Sequence, residues 1–223
     1  MPQSSRGDFR EFFPVVWARM TPLSLRERIR RRLNAHYETG FVTGDFAVAG
    51  VEREQRTLRL ASVLIGLVER NEGATVLLTQ RTDHLLHHPG QVSFPGGGAE
   101  EADDDPVATA LRESEEEIGL DRRRVDVAGF LDRYQTVTGF LVTPVVAFIA
   151  PPFELRPDPF EVAEVFEIPL GFVLDPRNHE RRSMLFNGRQ RTFYVLPYQN
   201  HYIWGATAAM LVNLHSKLGS LTD

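Results

Sequence analysis

The sequence predicts an α/β fold in which a mixed β-sheet lies between helices. Three observations point there. Strand-like segments outnumber helical ones, the helical ones are scattered along the chain rather than grouped, and 223 residues with 42% apolar side chains suffice for one such core. A single domain over residues 1–223 is the simplest organisation, with its core over about residues 58–218.

Residues 1–20 read as irregular. The apolar stretch Phe12–Ala18 is broken by Pro14 and follows Asp8 and Glu11, so it suits neither a signal peptide nor a membrane span. A helix is expected over residues 24–37, opened by a Ser24–Glu27 capping box, with Leu25, Ile29 and Leu33 on one stripe. Its Arg residues between 26 and 32 form a solvated face or a phosphate contact. Leu58–Glu69 and Thr75–Arg81 read as strands around a turn at Asn71–Gly73, and Thr82–Gly98 as a loop rich in His, Pro and Gly. Pro106–Ile118 reads as a helix, with Asp105 as its N-cap, Pro106 at the first helical position and Gly119 as its terminator. Val125–Tyr134 and Phe140–Ile149 read as strands, with a turn near Thr138-Gly139, and Val162–Ile168 as another. Ser183–Phe186 and Arg191–Leu196 suit a hairpin around Asn187-Gly188, and Trp204–Leu218 a closing helix.

The chain has no cysteine, which removes disulfides, thiolate metal sites and cysteine nucleophiles; any metal must be held by oxygen or imidazole. The formal charge is −5, unevenly spread. Residues 98–120 carry nine acids against Arg112 alone, a block of −8. Val107, Leu111, Ser114 and Ile118 fall on one helical stripe, the expected core face. Glu113, Glu116 and Glu117 fall opposite at i, i+3, i+4, so their carboxylates project together. Like charges at that spacing cost about 0.2–0.5 kcal/mol per pair. Acids in the last turns oppose the helix dipole by roughly 0.3–1 kcal/mol each. A hard divalent cation, Mg²⁺ or Mn²⁺, would relieve the repulsion; an ordinary acidic surface would look the same by spacing alone.

Gly98 through Leu120, GAEEADDDPVATALRESEEEIGL, resembles the Nudix box, G-x5-E-x7-R-E-U-x-E-E-x-G-U with U apolar. Arg112-Glu113, Glu116-Glu117, Gly119 and Leu120 match; Asp104 stands where Glu is usual and Ser114 where an apolar residue is usual. Upstream, Leu77-Leu78-Thr79-Gln80-Arg81-Thr82, Gly90 and Phe94-Pro95-Gly96-Gly97 resemble the signature of the coenzyme A pyrophosphatases within that family. The signature carries an Arg four positions before Gly90, where this chain has Leu86. Tyr202-Ile203-Trp204-Gly205-Ala206-Thr207 is similar to the start of that subfamily's last helix.

The resemblance implies an α/β/α sandwich and metal-dependent hydrolysis of a nucleoside diphosphate linked to another group. Mg²⁺ or Mn²⁺ would be held by Glu113, Glu116 and Glu117. Glu116 is one candidate base; Glu161, Glu164 and Glu167 are others, with Glu164 the central choice. Arg112 would orient the box carboxylates or bind phosphate. Arg81, Gly90, Phe94, Gly96 and Gly97 would line the substrate site, with Arg81 a candidate contact for a 3′-phosphate. The leading substrate is coenzyme A or acyl-coenzyme A, giving phosphopantetheine or its acyl form and adenosine 3′,5′-bisphosphate. ADP-ribose, NADH or a dinucleoside polyphosphate is the alternative, which Leu86 keeps open, and a non-catalytic ligand-sensing domain is a third reading. His87 and His88 are metal-ligand or phosphate-contact candidates, although two adjacent histidines in a loop are more often incidental. His179, His201 and His215 show no metal-ligand spacing, and neither G-x-S-x-G nor the G-x-x-x-x-G-K-[ST] loop occurs. Nucleic acid is disfavoured, because the basic N-terminal helix is not interleaved with aromatic residues. A cytoplasmic monomer or homodimer acting on a small molecule is expected.

Overall fold

The uncharged run Leu60–Val68 becomes a strand that is exposed at Leu60 and buried on both faces from Leu64 to Val68, as its apolar composition there requires. The computed structural model describes residues 23–49, 57–85, 88–186 and 189–219. In chain order its elements are α1 (Leu25–Arg32), β1 (Val42–Gly44), α2 (Asp45–Ala49), β2 (Arg59–Arg70), β3 (Gly73–Arg81), β4 (Val92–Ser93), β5 (Gly96–Gly98), α3 (Pro106–Ile118), β6 (Val125–Phe130), β7 (Arg133–Gln135), β8 (Phe140–Ile149), β9 (Val162–Pro169), α4 (Leu170–Leu174), β10 (Glu180–Phe186), β11 (Arg189–Tyr198), β12 (His201–Trp204) and α5 (Gly205–Leu218).

A nine-stranded mixed sheet runs β1–β7–β8–β2–β3–β4, with β5 also on β2, β6 also on β8 and β9 also on β3. Its centre is the parallel pair β2–β8, in register from Arg59 opposite Phe140 to Val68 opposite Ile149. Side chains alternate across the sheet. Leu64, Val68, Leu77, Val145, Ala147 and Ile149 pack under Ala110 and Ile118 of α3. Ile65, Leu67, Val76, Leu78, Val146 and Phe148 join a second core with Ile29 of α1 and Leu211 and Leu214 of α5. Helices therefore cover both faces, as expected. Strands β10, β11 and β12 form a smaller antiparallel sheet beside α5. No helix among the described residues is long and apolar enough to cross a membrane.

Three expectations change and one is refined. The capping box of α1 is present, but the helix ends at Arg32 rather than residue 37. Leu33 turns extended, and Asn34 exchanges both backbone hydrogen bonds with Phe130 at the sheet. The expected solvated face carries exposed Arg30 and Arg31, and part of it is also ion-paired: Arg26 bonds Glu69 and Asp126, and Arg30 bonds Asp126. The expected strand Val125–Tyr134 divides into β6 and β7, because the buried Asp132 between them accepts hydrogen bonds from Lys217, Asn213, Asn34 and the Phe41 amide. The expected loop Thr82–Gly98 contains two strands, β4 and β5. Elements β1, α2 and α4 are too short to leave a periodic signal. The expected irregular segment 1–20, Leu86, His87 and the Asn187-Gly188 turn lie outside the described residues.

Candidate active site

Helix α3 begins and ends where its caps require. The Asp105 carboxylate accepts from the Ala108 amide at 2.7 Å, and Gly119 closes the helix at φ 66°. The buried line runs through Ala110, Ser114 and Ile118, with Val107 and Leu111 only partly buried beside it. Ser114 is tolerated there because its hydroxyl donates to the Ala110 carbonyl at 2.6 Å. This phase corrects one expectation. Glu117 does not face away from the core: its side chain is 6% exposed, whereas that of Glu116 is 62% exposed. Glu113 and Glu117, one turn apart, point at the glycine strand.

That strand explains the triplet Gly96–Gly98. It pairs antiparallel with Ala61–Val63 at the start of β2, while β3 takes Leu67–Arg70 at its end. The gap between β3 and β5 receives the acids of α3. Gly96 sits at φ 150°, and any side chain there would strike the Ser62 carbonyl. Its amide donates to Glu117 Oε2 at 3.1 Å. A Cβ on Gly97 would lie 2.5 Å from the Glu113 carboxylate, so only glycine lets that acid close in. Gly98 meets nothing within 4 Å.

Arg112 is a clamp on the outer side. Its Nε and Nη2 bind Asp103 at 3.0 Å each, Nη1 binds Glu113 at 3.0 Å and Glu116 at 3.3 Å, and Nη2 also donates to the Gly98 carbonyl. The acid holding Arg112 is thus Asp103, not Asp104, which is exposed. Gly97 and Asp103 are separated by five residues (98–102), and Asp103 and Arg112 by eight (104–111). The extra residue lies in the turn before the helix, where it leaves the phase of α3 unchanged.

Electrostatics follow from this burial. Loss of water pushes the Glu117 carboxyl up to about 7, with Glu113 and Glu161 adding repulsion; the Gly96 amide and Arg81 pull it back. Glu113 is raised as well, first by burial, then by Glu116 and Glu161, against Arg112. Arg81 Nη1 stands 3.7 Å from Glu117 Oε1. Glu161 joins these groups through its loop. Thr82 holds that loop from one side, its amide donating to the Glu161 carbonyl and its hydroxyl to the Phe160 carbonyl at 2.7 Å. From the other, the amides of Arg156 and Asp158 donate to the last carbonyls of α3.

The other candidates are placed elsewhere. Glu164 bonds His201 Nε2 at 3.1 Å, and the His201 ring stacks on Phe166. Glu167 is held by Arg70 and Thr75. Phe94 is 2% exposed in the core, which corrects the expectation that it touches substrate. Gly90 serves a turn at φ 66°, with Asp83 where its Cβ would be. His88 is exposed and bonds Gln91. Asp103 was missed in the sequence because its neighbours Asp104 and Asp105 offer equal chemistry; the five-residue spacing from Gly97 was the available signal.

A family model described as the NUDIX domain matches residues 58–186. The chain is also 38% identical over 169 residues to the uncharacterized Nudix hydrolase NudL of Escherichia coli K12, covering 76% of this chain and 88% of that one. The chain belongs to the Nudix hydrolase family. NudL of Enterobacter sp. strain 638 is 37% identical over the same shares. Among solved structures, a NUDIX hydrolase from Alicyclobacillus acidocaldarius is similar over 73% of this chain and 93% of its own, at 20% identity and TM-score 0.45. Nudix hydrolases are pyrophosphohydrolases that act on small nucleotide substrates with divalent cations. The donors present fit such a cation: they are all oxygen, and Glu113 and Glu117 repel one another in a half-dry cleft. No three Asp, Glu or His side chains among the described residues stand gathered as a finished cage.

Proposed function

We propose that this Nudix hydrolase cleaves the diphosphate of coenzyme A or acyl-coenzyme A in the cytoplasm, using Mg²⁺ or Mn²⁺. The observation that carries the reading is the position of Arg81 and Thr82. Both belong to the stretch resembling the coenzyme A pyrophosphatase signature; one stands beside Glu117 and the other anchors the loop of Glu161. Glu113 and Glu117 would hold the cation, with Glu116 as the more exposed third donor. When bound, it supplies positive charge against the phosphate oxygens. Arg112 fixes the direction of Glu113 and Glu116. Gly96 and Gly97 let backbone and carboxylate approach each other closely. Glu161 takes the proton of the attacking water, in preference to Glu164, whose carboxylate is engaged by His201.

Incubation with coenzyme A and Mg²⁺ or Mn²⁺, followed by chromatography, is expected to yield phosphopantetheine and adenosine 3′,5′-bisphosphate. Cleavage of ADP-ribose or NADH with no turnover of coenzyme A would overturn the substrate and leave the family standing. Glu161→Gln is expected to lower kcat by about 10²-fold or more, the usual worth of a positioned base. Glu164→Gln should stay within about threefold of the parent. The reverse ranking in steady-state kinetics would return the base to Glu164.

A further inference from the structure

We propose that Arg81 changes partners: it pairs with Glu117 while the carboxylate cluster holds no cation, and turns to the diphosphate under attack once a cation is bound. This rests on the reading that the cluster takes a divalent cation and a diphosphate, and it needs no choice among diphosphate substrates.

Three features of Arg81 point this way. Its contact with Glu117, at 3.7 Å, is an ion pair too long to be a hydrogen bond. Its Nε is buried and has no acceptor among the described residues. A buried guanidinium N–H without an acceptor is costly, and phosphate oxygens are acceptors that its planar fork can bind bidentately. The backbone, by contrast, is firmly held, with the Arg81 amide donating to the Gln91 carbonyl at 2.9 Å. The pairing of β3 with β9 shifts register between Gln80 and Arg81, so that Gln80 faces Glu164 and Arg81 faces Val162. Such a bulge re-aims a side chain, here toward the gap that receives Glu113 and Glu117. Arg112 does not compete for the role, since its donors are taken by Asp103, Glu113, Glu116 and the Gly98 carbonyl.

Two consequences separate this role from the 3′-phosphate contact expected from sequence. A cation entering the cluster displaces a positive charge already there, so removing Arg81 should favour the cation. And a group this close to Glu117 meets the phosphates being cleaved rather than one across the ribose. Removing it should therefore affect coenzyme A and dephospho-coenzyme A alike.

The test uses the full chain with Mn²⁺ and imidodiphosphate, a diphosphate that resists hydrolysis. Mn²⁺ affinity is measured by electron paramagnetic resonance at pH 8.5. Imidodiphosphate affinity of the Mn²⁺-loaded protein is measured by calorimetry. Arg81→Gln is expected to bind Mn²⁺ about threefold more tightly, from loss of a nearby like charge. It should bind imidodiphosphate about tenfold or more weakly, from loss of the charged fork. Arg81→Lys, which keeps the charge, should match the parent for Mn²⁺ and recover only part of the imidodiphosphate binding. Unchanged or weaker Mn²⁺ binding by Arg81→Gln would make Arg81 a mere support for Glu117 and overturn the exchange. Imidodiphosphate binding within about twofold of the parent would overturn it equally, the lost fork being worth more than that. A parent protein that binds no Mn²⁺ would instead remove the metal reading beneath it.

Discussion

Glu117→Gln is expected to yield a protein that is more stable and nearly inactive. The Glu117 side chain is 6% exposed, and burial pushes its carboxyl up to about 7. A folded chain that holds a proton the unfolded chain has released loses stability as pH rises. The penalty is absent below about pH 4.5, grows between there and about 7, and is constant above. A gap of that size corresponds to roughly 3 kcal/mol at pH 8. Glutamine keeps the shape and the acceptor for the Gly96 amide but has no charge to bury. In metal-free protein, the variant should therefore melt with the parent at pH 4 and clearly above it at pH 8. Mn²⁺ should raise the parent's melting temperature at pH 8 and leave the variant's nearly unchanged. Activity should fall by about 10²-fold or more, because a ligand that neutralises transferring phosphate has been removed. Equal melting of the two proteins at pH 8 would show that Glu117 carries no buried charge, and the metal assignment would lose its main support.

That expected gain locates the function in physical terms. A helix selected for stability alone would not place acids at its C-terminal half, where the dipole opposes them, and then bury one of them beside a second. Arg112 relieves Glu113 from one side and Arg81 relieves Glu117 from the other, yet both carboxyls remain raised. The remaining repulsion is what a divalent cation would remove.

Much of this was legible in the sequence, for local reasons. The caps of α3 are set by Asp105, Pro106 and Gly119, which act within one turn, so the helix is found where its sequence puts it. The phase of Glu113 and Glu117 follows from helical spacing. Which side of that phase is buried does not, because Gly96 and Gly97 supply no side chain to announce that they pack against it. A run of glycine reads as a turn from propensity. It becomes a strand because β2 offers it a free edge and because a larger residue would not fit. Glu161, Glu164 and Glu167 are equivalent by composition and separate only by tertiary surroundings: a loop beside α3, His201, and Arg70 with Thr75. The early end of α1 has the same origin, since the Asn34–Phe130 bridge outcompetes further helical turns.

Asp103 and Asp104 give the sharpest contrast between adjacent residues. Asp103 accepts from Arg112 Nε and Nη2, from the Thr109 hydroxyl at 2.9 Å and from the Glu100 amide at 2.9 Å. Those hydrogen bonds, Arg112 first, hold its carboxyl well below the ordinary carboxylate range. Its contribution is therefore in full force at neutral pH and is lost only in strong acid. Asp103→Ala removes the main partner of Arg112, which keeps Glu113, Glu116 and the Gly98 carbonyl, so the change should cost about 1.5–3 kcal/mol, the worth of hydrogen bonds to a charged group. For a chain of this length that corresponds to a melting temperature lower by roughly 3–12 °C. The freed Arg112 would then turn wholly onto Glu113 and Glu116 and compete with the cation, so Mn²⁺ affinity should fall along with kcat. Asp104→Ala touches none of these groups and should stay within about 0.5 kcal/mol of the parent. Paired melting curves and Mn²⁺ titrations of the two variants decide the register. A damaging Asp104→Ala beside a silent Asp103→Ala would restore the box counted from Gly98 and displace Gly97 from the site.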